Sequence, residues 1–71
     1  MHRRSFLAEI EAEERAIAAA IAMPGVTITR VELPDSDPYN LYLVTGHPTL
    51  TTIHVPGWSP IVAMLQDAGI A

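Results

Sequence analysis

Apolar residues along the chain change their spacing twice, and the changes divide it into helical and extended segments. Phe6, Leu7, Ile10, Ile17 and Ile21 fall on one stripe when residues are placed about 100° apart, the pattern of an amphipathic helix. Ser5 is a suitable N-cap and glutamates follow it, where the positive end of the helix dipole favours them, so a helix is expected over about 5–22. The stretch MPGV, Met23 to Val26, then stops it, with Pro24 and Gly25 suited to a type II turn. Three runs rich in β-branched and aromatic residues come next: VTITRVEL over 26–33, YNLYLVT over 39–45 and LTTIHV over 50–55. PDSDP and GHPT, between them, have turn composition. A second helix is expected over about 60–68, with Ser59 as N-cap and Pro60 at the first helical position, where its missing N–H costs nothing. Gly69 should end it, with Ile70 placed to touch Leu65 in a Schellman closure.

The order α-β-β-β-α with short connections predicts an α+β fold: a three-stranded antiparallel meander with two helices packed on one face, as a single small domain over 1–71. A parallel sheet would need crossovers for which the chain has no length.

Strand alternation is less decisive about which face is covered. In the middle strand Tyr39, Leu41 and Leu43 face one way, and Asn40, Tyr42 and Val44 the other, so both faces are apolar. In the third, Ile53 and Val55 oppose Leu50, Thr52 and His54. Placing Leu41 and Leu43 beside Ile53 and Val55 leaves Tyr42, Val44, Thr52 and His54 on an outer face suited to a partner; a one-residue change of register reverses the assignment. Val26 and Ile28 are in one phase and Val31 and Leu33 in the other, which a bulge near Arg30 would explain.

Three features of the helices add to this. Glu14 falls within the apolar stripe, where it is expected at the edge, reaching water or pairing with an arginine; the alternative is a partly desolvated carboxylate marking a functional site. Ala8, Ala12, Ala16 and Ala19 form a smooth opposite face. In VPGWSP, Pro56 and Gly57 are read as a turn like that at Pro24 and Gly25. Trp58, just before the cap, is expected to fold onto Ala63 as a hydrophobic staple, its other role being a partner anchor.

Composition narrows the function. A chain of 71 residues buries only about 60% of its unfolded surface, so its core is marginal without a staple or partner. It has no cysteine, 49% hydrophobic residues and only 17% charged ones, a balance that leans toward an oligomer or a complex. The net charge of -4 argues against nucleic-acid binding, which needs clustered bases against phosphate. No apolar run reaches the roughly 18 residues of a membrane span. RRSFL, Arg3 to Leu7, has the look of a twin-arginine export signal, but Glu9, Glu11, Glu13 and Glu14 stand where an apolar region should follow, so a cytoplasmic protein is expected.

Candidate chemistry is sparse. His47 and His54 have no trusted metal-ligand spacing, and Asp35 and Asp37 lack the glycine and distal glutamate of a calcium loop, so turn-making is their expected role. Ser59, His54 and Asp35 have no nucleophile-elbow context. No cofactor or small-molecule substrate is indicated. The expected protein is therefore a non-enzymatic interaction module that binds, and inhibits or regulates, a larger protein, with Tyr42, Val44, Thr52, His54 and Trp58 as contact residues. Small acidic inhibitors, antitoxins and accessory proteins of phages and other mobile elements share its size and charge, an association and no more. The alternative is a structural homodimer closed by a two-fold axis, and a weaker one a small metal protein or enzyme using His47 and His54.

Overall fold

The computed structural model describes residues 2–70, with side chains from Glu9 onward. The elements are α1 (His2–Ala22), β1 (Thr27–Val31), β2 (Tyr39–Thr45), β3 (Thr52–Pro56) and α2 (Pro60–Asp67). The strands form one antiparallel sheet in the order β1-β2-β3, a meander, as expected for an α+β chain of this order. Both helices lie on the same side of it. Ile17 of α1 and Ile61, Val62 and Leu65 of α2 close one core with Tyr42, Val44, Ile53 and Val55 of the sheet.

Local signals account for the ends of the elements. The Ser59 hydroxyl accepts from the Ile61 N–H at 3.2 Å, and Pro60 opens α2. At its other end the Ile70 N–H reaches the Leu65 carbonyl at 3.0 Å and the Gly69 N–H the Gln66 carbonyl at 2.9 Å, with Gly69 at φ +85; this is the expected Schellman closure. Between α1 and β1, Gly25 at φ +83 and the Val26 N–H on the Met23 carbonyl make the expected Pro24–Gly25 turn. The β1–β2 connection turns at Pro34 to Asp37, and the Asp37 carboxylate accepts from the Tyr39 N–H at 2.9 Å, which is the turn-making role expected of it.

Four expectations are corrected. Helix α1 begins at His2, so Ser5 lies inside it; the residues before it include arginines, good helix formers, and nothing there breaks the helix. Strand β1 is unbulged, pairing regularly from Thr27↔Thr45 to Val31↔Leu41. The phase change arises because Arg30, not an apolar residue, takes the helix-side position beside Tyr42, and the strand ends before Leu33. Pro56 and Gly57 do not repeat the earlier turn: the Ser59 N–H returns to the Pro56 carbonyl, placing Pro56 first and Gly57 and Trp58 at the two corners.

The fourth correction is the sheet register, and it decides which face of the sheet is open. Leu43 pairs with Thr52, Tyr42 with Ile53, Leu41 with His54 and Asn40 with Val55. Odd positions of β2 thus share a face with even positions of β3. Tyr42 and Val44, expected outside, are 1% and 4% exposed and belong to the core. The connection enforces this phase. Gly46 turns at φ +87, the Nδ1 of His47 accepts from the N–H groups of Thr49 and Leu50 at 3.2 and 2.9 Å, and the Val44 N–H closes on the Thr51 carbonyl. Leu50, expected to share the face of His54, precedes the strand and packs against the core instead.

Candidate functional site

The side of the sheet away from the helices is uncovered. It presents Thr27, Thr29 and Val31 from β1, Tyr39, Leu41, Leu43 and Thr45 from β2, and Thr52, His54 and Pro56 from β3. None is Asp, Glu, Lys or Arg, and the one arginine in the strands, Arg30, lies on the helix side. A one-sided antiparallel sheet normally alternates apolar inside with polar and charged outside. This one has an apolar spine on its open side: Leu43 is 47% and Tyr39 42% exposed, with Val31 and the half-buried Leu41 beside them.

Pairing organises that surface into rows. Val31, Leu41 and His54 cross the sheet in one row, and Thr29, Leu43 and Thr52 in the next. Tyr39 sits diagonally from His54, and their rings stack with centroids 4.7 Å apart at 28°. The stack holds the two aromatic side chains against each other on the open face. At strand spacings of about 4.8 Å and rises of about 3.4 Å per residue the face measures roughly 10–15 Å by 20 Å.

Trp58 lies just beyond one end of the sheet. The Gly57 N–H donates to the Pro38 carbonyl at 2.8 Å, so Trp58 follows directly on the end of the sheet where Tyr39 and Pro56 pair. Its indole is 82% exposed, which corrects the staple expectation. The physical reason is the face of α2: Ile61, Val62 and Leu65 point into the core, so Ala63 is on the solvent side and offers only a methyl. Of the five expected contact residues, then, Thr52, His54 and Trp58 are exposed while Tyr42 and Val44 are buried. The residues missed were Tyr39, Leu41, Leu43 and Val31. No signal within the strands could have found them, because the pairing of Leu43 with Thr52, which joins odd positions of β2 to even positions of β3, is set by the hairpin connection.

The other candidates are not assembled. His47 uses Nδ1 to hold its turn, and His54 is committed to the Tyr39 stack. Among the described residues no three His, Asp or Glu side chains converge as a metal site. Ser59, His54 and Asp35 make no hydrogen bonds with one another among the described residues; the Ser59 oxygen serves the helix cap. Glu14 is half-buried at the edge of the α1 stripe, and Ala12, Ala16 and Ala19 are exposed; Phe6, Leu7 and Ala8 fall outside the residues whose side chains are described. No helix among the described residues is long and apolar enough to cross a membrane. Comparison with protein families, with curated proteins and with solved structures gave no match to this chain.

Proposed function

We propose that this chain is a non-catalytic interaction module that docks the open face of its sheet onto another protein. The observation that carries the reading is the uncharged, apolar open face, in a chain of net charge -4 whose other surfaces hold the charge. Aromatic and aliphatic side chains at the centre with threonines around them match the composition of interface cores, where charge is depleted. Trp58 at the end of the face supplies the kind of exposed indole that anchors contacts.

A second reading, a two-fold homodimer through the same face, is favoured by one feature. In such a dimer each surface meets its own copy, so a charge near the axis faces its like; a face without charges carries no such repulsion. Leu43→Arg tests both readings together. Leu43 is the most exposed aliphatic residue at the centre of the face, and arginine there leaves the core untouched. The variant should remain folded while losing capture of partners from a lysate and any dimer mass in light scattering. A wild-type chain that stays monomeric at high concentration, together with identical capture by wild type and variant, would refute the proposal.

A further inference from the structure

We propose that a second site, on the helix side of the sheet, binds a small organic carboxylate. A cavity of about 390 Å³ lies where the end of α2 leaves β1 and β2 uncovered, lined by Arg30, Asn40, Tyr42, Gln66, Gly69 and Ile70. Its volume is within the range of ordinary small-molecule pockets. The lining is rich in donors: a guanidinium, two carboxamides and a phenolic hydroxyl, with no Asp or Glu among them. In a chain with twice as many acids as bases, the one charged side chain in this lining is a cation.

The donors are also not engaged elsewhere. Among the described residues none of these four side chains makes a hydrogen bond. Tyr42 is 1% exposed, yet among the described residues no buried side-chain oxygen or nitrogen is left enclosed without a partner, so the outlet for its hydroxyl is the cavity. The last carbonyls of α2 would ordinarily repel an anion, but Gln66 and Leu65 already give theirs to the N–H groups of Gly69 and Ile70. A carboxylate can take the planar fork of Arg30 in two parallel hydrogen bonds. The carboxamides of Asn40 and Gln66 suit a neighbouring amide or hydroxyl, and Tyr42 and Ile70 a short apolar body. This site is on the opposite side of the sheet from the docking face, so the two proposals stand or fall separately.

The test is titration of the whole chain, followed by two-dimensional ¹⁵N–¹H NMR, with acetate, succinate and N-acetyl-L-alanine at constant ionic strength, and with N-acetyl-L-alaninamide as the uncharged control. Saturable shifts are expected for the side-chain amides of Asn40 and Gln66 and the backbone N–H of Gly69 with at least one carboxylate, and none with the amide. Arg30→Gln should weaken binding about ten-fold or more, because a charge-assisted pair is lost. Gln66→Glu should do the same by placing a negative charge on the rim. Both positions are exposed, and the dispersion of the same spectra verifies folding. Linear, unsaturating shifts with every carboxylate would overturn the proposal. Equal binding of the amide, or unchanged affinity in folded Arg30→Gln, would overturn it too.

Discussion

Gly46 meets two constraints that only glycine satisfies together. Its φ of +87 lies in the left-handed region, and a β-carbon on it would overlap the Gly25 carbonyl oxygen, so the turn after β2 is pressed against the turn after α1. Gly25 has nearly the same φ, +83, but open space where a β-carbon would go. Gly25→Ala should therefore cost about 1 kcal/mol, the conformational penalty alone, whereas Gly46→Ala should cost about 3 kcal/mol or more because backbone must also move. Urea unfolding of the two variants checks this, and equal losses would show that the turns do not touch. His47 acts in the same turn, its Nδ1 taking two backbone N–H groups as an Asx oxygen would. His47→Ala should lose about 1–2 kcal/mol and His47→Asn should regain most of it, measured the same way; no recovery would mean that the ring's bulk matters and not its acceptor. From the sequence GHPT was legible only as turn composition. That a ring nitrogen organises it was not, because histidine carries no turn preference of its own and the contact depends on the ring's orientation.

Among the elements, α2 was readable almost residue by residue, since the bonds made at its ends by Ser59, Gly69 and Ile70 each span five positions or fewer and Pro60 acts at its own position. The sheet was readable in its strands but not in its register, because register is a relation between distant segments. Both faces of β2 are apolar, so alternation within it could not say which face the helices cover. Neighbouring residues of β2 now give the sharpest contrast. Tyr42→Arg removes a ring that is 1% exposed, at roughly 3–5 kcal/mol for a lost aromatic, and sets a second guanidinium beside its cross-strand neighbour Arg30, so it should abolish cooperative unfolding. Leu43→Arg should change stability by less than about 1 kcal/mol. Thermal melts followed by circular dichroism separate the two, and the opposite order would restore the other register.

At the scale of the whole molecule, surface area ties the fold to its proposed use. The chain exposes 5180 Å², against about 4,300 Å² expected of a compact monomer of 7.7 kDa, and its radius of gyration of 12.7 Å exceeds the roughly 11 Å expected for its length. The excess has a structural origin. Helix α1, about 31 Å long by its residue count, has no buried residue from Glu9 to Ala16, and the sheet has a single covered face. An excess of this size is comparable to the roughly 800 Å² that each partner buries in a standard interface. Covering the open face would also stabilise a fold in which nine of the described residues are buried apolar ones, because anything that binds only the native state shifts unfolding by mass action. If the cover is a second copy, the melting temperature of the wild-type chain should rise with protein concentration, and that of Leu43→Arg should not. Concentration-dependent calorimetry makes the measurement. A melting temperature independent of concentration in both chains would rule out a second copy as the cover, and a slope retained in Leu43→Arg would move self-association off the sheet.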